Sequence, residues 1–206
     1  NPDDRAVLLS TGIVQAAQVI LMGGVGVALD HFAPASEPPG PPIVLLPARM
    51  LWSKGIGIFV DAARTLRHQG VQARFVLAGR ADPDNPAAVP VAQLQAWVAA
   101  GAIEWWGHRE DVADVLRQSA VVCLPSTYGE GVPRGLLEAA ATGRPIITTD
   151  TPGCRDVVHH DVSGLLVPPG DAAAFAAAVE RLLRDPELRA RFGAAGRALA
   201  VAEFSE

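Results

Sequence analysis

What most constrains this chain is a rhythm of short, continuous apolar runs separated by amphipathic stretches. The runs are IVLLP (43–47), RFVLAG (74–79), IEWWG (103–107), VVCLP (121–125), PIITT (145–149) and GLLVP (164–168). Each has the length and side-chain content of a buried strand. Between them, Gly57 to Leu66 places Ile58, Ala62 and Leu66 on one helical face. Val91 to Val98 carries Leu94, Trp97 and Val98, and Val112, Val115 and Leu116 form a third such face. Strands that are apolar throughout need cover on both sides, and the intervening helices supply it. The expected fold is α/β, a Rossmann-like doubly wound parallel sheet. After the sixth run come two helices, one from Asp171 to about Arg184 and one starting near Pro186 with Asp185 as its cap.

The first 42 residues are less regular. NPDDRAVLLSTG has acidic residues for a helix start and Gly12 for its end. Val19 to Met22 leads into GGVGV, whose Gly-x-Gly lacks the following helix and third glycine of a dinucleotide fingerprint. PASEPPGPP (34–42) is a Pro-rich linker or surface loop. The expected divisions are therefore 1–33, 34–42 and 43–206. No apolar run approaches the roughly 20 residues of a membrane span, and the start does not read as a signal peptide. A net charge of −5 argues against nonspecific nucleic-acid binding. The two cysteines match no metal spacing, with Cys123 expected in the core and Cys154 as an ordinary small loop residue. A reducing, cytoplasmic compartment is the expectation.

In a doubly wound sheet, ligands bind beyond the carboxyl ends of the strands. That edge collects Arg49 and Lys54 after the first run, Arg80 after the second, and His108 and Arg109 after the third. Two cations on one loop suit a diphosphate. After the fourth run comes STYGEGVPRGLLEAAATG (126–143), a glycine-containing loop leading into a helix, with Pro133 at its expected first position. Glu130 and Glu138 lie eight positions apart. With helical geometry between them they would be separated by roughly 12 Å, too far for a glycosidase pair at about 5 to 9.5 Å. Two carboxylates so placed suit the two ends of one extended ligand with vicinal hydroxyls, with a helix N-terminus and Arg134 between them for phosphates. Asp82 and Asp84, in a Pro-rich loop, read as turn residues.

ARMLWSKG (48–55), GEGVPRGLLEAAATGRPIITTD (129–150) and GLLVPPGD (164–171) resemble the donor-binding half of the retaining GT-B glycosyltransferases of family GT4, or group 1. The resemblance implies that Arg49 and Lys54 hold the diphosphate. Glu130, with amides near Gly131 and Val132, would contact the donor hexose; amides near Arg134 and Gly135 would meet the phosphates, and Glu138 the ribose. The base would lie near Gly107 and His108, with Arg80 close by. It further implies transfer of a hexosyl group from a UDP-linked donor, with no metal and no other cofactor, to a saccharide or lipid-linked acceptor in surface polysaccharide or glycolipid synthesis. The acceptor would be bound by an N-terminal domain of which 1–33 is a remnant, at the inner face of the cytoplasmic membrane. Two departures stand out: Gly24-Val25-Gly26-Val27-Ala28 replaces a Gly-Ser-Gly-Val-Asp loop, and Asp156 replaces a Glu. A sugar-nucleotide epimerase of the same architecture and a non-catalytic nucleotide-sugar-binding domain are the alternatives.

Overall fold

The structure is a computed structural model that describes residues 2–20 and 26–205. Helix α1 (Pro2–Ser10) ends in a turn at Gly12 and buries none of its residues. From Ile43 the chain alternates β1 (Ile43–Pro47), α2 (Ile56–His68), β2 (Arg74–Ala78), α3 (Val91–Ala99), β3 (Glu104–Trp105), α4 (Val112–Arg117) and β4 (Val121–Leu124). It continues with α5 (Arg134–Ala141), β5 (Ile146–Thr149), the single-turn α6 (Cys154–Val157), β6 (Gly164–Val167), α7 (Ala172–Arg184) and α8 (Pro186–Glu203). The strands form one parallel sheet in the order β3-β2-β1-β4-β5-β6. All six expected strands are present, the third shortened to two residues. The two final helices start where their caps are: the Asp171 carboxylate accepts from Ala174 N–H and that of Asp185 from Leu188 N–H, both at 2.8 Å.

Alternate residues of each strand serve opposite faces. Val44, Leu46, Val121 and Cys123 join Phe59, Phe75, Phe175 and Phe192 in one core. Ile43, Leu45, Val122 and Leu124 join Leu116, Leu136, Leu137 and Phe204 in the other. Both cysteine thiols are buried, and burial raises the pKa of each, that of Cys123 well above its ordinary value. Cys154 begins α6 instead of lying in the loop expected from sequence, because the turn at Gly153 leads directly into that helix.

The GGVGV loop (23–27) falls largely outside the described residues. Beyond it, the chain expected as remnant and linker is packed onto the domain. Val27 and Phe32 lie in the second core, and Val27 N–H donates to the Phe204 carbonyl at 2.8 Å. Four arginines then tie down the stretch 29–37. Arg197 donates to the carbonyls of Phe32 (3.3 Å) and Ala141 (2.6 Å), and Arg117 to that of His31 (2.7 Å). Arg144 reaches Ala35 O (2.9 Å) and Arg117 O (2.6 Å); Arg189 pairs with the Glu37 carboxylate and also donates to Leu182 O (2.7 Å). Ala141, Arg117 and Leu182 end or nearly end α5, α4 and α7. The guanidinium groups thus satisfy last-turn carbonyls at the negative ends of three helices. Among the described residues, no helix is long and apolar enough to cross a membrane.

Candidate functional site

In this strand order the sheet reverses direction of winding between β1 and β4, and the crevice opens at their carboxyl ends. Two adjoining cavities occupy it. The first, of about 330 Å³, is bounded by Arg49, Arg80, His108, Arg109, Glu138 and the apolar Val112 and Val115. The second, of about 270 Å³, is bounded by Arg49, Lys54, Glu130, Val132 and Pro133. Pro47, Ala48, Arg49, Arg134 and Gly135 line both and mark where they meet.

The loop after β1 is pressed against the exit of β4. Gly55 has φ +74°, and a Cβ there would lie 1.9 Å from the Pro125 carbonyl oxygen. Its absence lets Lys54 reach across: Nζ donates to both carboxylate oxygens of Glu130 at 2.6 Å, with the two side chains only 14% and 10% exposed. The same ammonium stands 5.4 Å from the Tyr128 ring centroid. Ser126, fully buried, donates to Glu130 Oε1 at 2.8 Å. The backbone of the Glu130 loop rests on the turn after β5, where Glu130 N–H donates to Pro152 O at 3.0 Å.

Helix α5 begins at Arg134. Pro133 stands one position earlier than expected, as the cap, because its ψ of 115° is extended while its carbonyl already accepts from Leu136 N–H at 3.0 Å. The amides of Arg134 and Gly135 precede the first helical hydrogen bonds and lie at the junction of the two cavities. One turn on, Glu138 Oε1 accepts from Arg134 Nε at 2.9 Å. Burial raises the Glu138 pKa, against the opposing effects of the Arg134 hydrogen bond and the charges of Arg134 and His31. Only the last four steps from Glu130 to Glu138 are helical, so the helical spacing used in the sequence reading does not apply. The separation into two ends of one crevice rests instead on the cavities each glutamate lines.

Of the residues expected at a site, Arg49, Lys54, Arg80, His108, Glu130, Val132, Arg134, Gly135 and Glu138 all border the cavities. Gly107 and Gly131 do not. Gly107 shapes the turn after β3, its carbonyl accepting from Gly79 N–H at 2.7 Å, and Gly131 lies against Gly153. Trp105 and Trp106 are half-buried away from both cavities, with Trp105 Nε1 donating to Gly79 O at 2.9 Å. Sequence reasoning missed Ser126 as a partner of Glu130, the apolar wall of Val112 and Val115, and the ion pair of Arg49 with Asp82 (3.1 Å). A helical face marks Val112 and Val115 as apolar, but not as lining a cavity. Asp82-Pro83-Asp84 has Asp-x-Asp spacing, yet among the described residues no group of three or more His, Cys, Asp or Glu could hold a metal.

Comparison with known proteins gives the family and the fold. The model of the family "Glycosyl transferases group 1" matches residues 41–185. A Campylobacter jejuni N,N'-diacetylbacillosaminyl-diphospho-undecaprenol alpha-1,3-N-acetylgalactosaminyltransferase is 35% identical over 148 residues, 72% of this chain and 37% of that protein. Sucrose-phosphate synthase of Thermosynechococcus elongatus superposes with TM-score 0.85 at 28% identity, over 100% of this chain and 53% of that one. Anabaena Alr3699/HepE, solved in complex with UDP, shares the fold with TM-score 0.77 at 21% identity, over 87% of this chain and 52% of that one. The chain spans about two fifths of the length of the curated relatives it matches. The sheet is the Rossmann-like one found in GT-B glycosyltransferases, and by the match over 41–185 the chain belongs to the group 1 glycosyltransferases.

Proposed function

We propose that this domain binds a nucleoside diphosphate sugar along the crevice and forms the donor half of a retaining hexosyltransferase. The observation carrying this reading is the pair of cavities joined at Arg49, Arg134 and Gly135, with Glu138 in one and Glu130 in the other. The nucleoside occupies the first cavity, its base against Val112, Val115, Arg80 and His108 and its ribose hydroxyls on Glu138. The diphosphate crosses the junction to Arg49, Lys54 and the α5 amides, and the hexose meets Glu130 and the amide region of Val132. As the glycosidic bond breaks, negative charge grows on the leaving diphosphate, where fixed cations and amides stabilise it. Glu130 positions the sugar, and the acceptor attacks on the face the diphosphate leaves.

The transferase names of the relatives favour transfer over epimerisation or binding alone. The diphospho-undecaprenol and colanic acid biosynthesis names among them support a saccharide or lipid-linked acceptor. Such an acceptor would be held by a further domain, in the cytoplasm at the inner face of the membrane. UDP is the first nucleotide to test, since a protein of this fold holds it. We expect UDP to raise the melting temperature by several degrees, and to do so equally in excess chelator. No shift with any nucleoside diphosphate would overturn the reading, whereas a strict need for Mg²⁺ or Mn²⁺ would overturn only its metal-free part.

Glu138 gives the binding a pH dependence of known sign. Ribose hydroxyls donate to a carboxylate, so binding favours the ionised form and weakens as pH falls through the Glu138 pKa. Burial raises that pKa, so weakening begins at a higher pH than for an exposed glutamate. In Glu138→Gln, we expect affinity to be lower at neutral pH and this acid-side fall to be absent. A wild-type profile that stays flat through the acidic range would remove Glu138 from the ribose.

A further inference from the structure

Each of the three cations lining the second cavity is already paired with a carboxylate. Lys54 is held by Glu130, Arg134 by Glu138 and Arg49 by Asp82. Glu130 and Glu138 have places of their own on the proposed donor; Asp82 has none. It borders neither cavity, yet it binds Arg49, which together with Arg134 lines both. Its position is built and not casual. The segment after β2 wraps the Arg49–Trp52 loop through backbone bonds: Met50 N–H to Arg80 O (3.1 Å), Val89 N–H to Met50 O (2.9 Å) and Trp52 N–H to Ala87 O (2.9 Å). Asn85 N–H closes the turn onto the Asp82 carbonyl at 2.9 Å, leaving the side chain directed to Arg49 Nη1.

We propose that Asp82 is an internal competitor of the diphosphate. It holds Arg49 when the crevice is empty, yields it when a donor arrives, and reclaims it as the nucleoside diphosphate departs. This rests on the donor-site reading above and adds a residue that sets how tightly product is kept. The pair is half exposed, Arg49 at 52% and Asp82 at 25%, so the competition is mild and reversible, as release requires. A dianion with a bidentate geometry outcompetes a single carboxylate making one bond to the guanidinium.

The test is Asp82→Asn, which keeps the shape and removes the charge, measured by calorimetry with UDP and with inorganic pyrophosphate. We expect both to bind about two- to fivefold more tightly, with slower dissociation. The same substitution in an Arg49→Ala background should give a clearly smaller gain, because the cation being contested is gone. A melting temperature equal to that of the wild type shows that the turn is intact. Weaker or unchanged binding in Asp82→Asn would overturn the inference: weaker binding would make Asp82 a positioning residue for Arg49. An equal gain in both backgrounds would overturn it as well, reducing Asp82 to a distant repulsive charge. If the wild type binds neither probe, the donor-site reading itself falls; if Arg49→Ala weakens binding and Asp82→Asn does not strengthen it, only the inference does.

Discussion

Replacing Lys54 by alanine should lower affinity for UDP about 30- to 300-fold, or about 2 to 3.4 kcal/mol. Two effects add. The diphosphate loses a cation, and Glu130, only 10% exposed, loses the ammonium that bonds both of its carboxylate oxygens. The second effect can be separated from the first. In Lys54→Ala/Glu130→Gln the carboxylate is gone as well, and part of the lost affinity should return. Uridine, which would occupy only the cavity lined by Glu138, should bind both variants as it binds the wild type. Calorimetry with UDP and uridine measures all of this. UDP affinity within a factor of two of the wild type in Lys54→Ala would place the phosphates elsewhere.

The next largest effect is expected at Gly153, which touches no proposed ligand group. Its φ is +81°, and a Cβ would lie 1.9 Å from the Gly131 carbonyl oxygen and 2.4 Å from that of Glu130. Alanine there is strained by its backbone angle and also collides with the loop that carries Glu130. Gly153→Ala should cost about 2 kcal/mol of stability, a drop of roughly 4–8 °C in Tm for a domain of this size. Its effect on binding should be uneven. Uridine affinity should survive, while any extra affinity of a UDP-sugar over UDP should vanish as Glu130 and Val132 shift. Equal losses for uridine and the sugar nucleotide would mean that the loop and the nucleoside end are not independent.

Much of this could be read from the sequence because it rests on local rules. Six apolar runs became six strands because a parallel sheet covered by helices buries both of their faces. Asp171 and Asp185 marked two helix starts because their carboxylates reach the free amides two or three positions on. Glu130 and Glu138 stood out because the loop and helix between them are contiguous in the chain. What stayed hidden depends on pairs far apart in sequence. Asp82, 33 residues from Arg49 in a Pro-rich turn, looked like a turn residue and is also one half of an ion pair. The helical-rise estimate failed for a different reason: the residues before Arg134 make a loop whose path is set by the turn at Pro152 and Gly153, not by their own helical tendency. The prolines of 34–42 announced irregular backbone, but not the guanidinium groups that fasten its first part.

Those fastenings bear on how the protein can be dissected. The family match runs from 41 to 185, yet the fold reaches beyond both limits. Val27 and Phe32 from one side meet Ala200 and Phe204 from the other in a shared core, and Arg189 and Arg197 of α8 grip the stretch between Leu29 and Glu37. A piece cut at the family limits would strip α5 of the helix packed against it and leave its last carbonyls without Arg197. A unit that keeps these contacts runs at least from Val27 to Phe204, whose backbones are joined by a hydrogen bond. The clasp that closes the molecule lies outside the region by which its lineage is recognised.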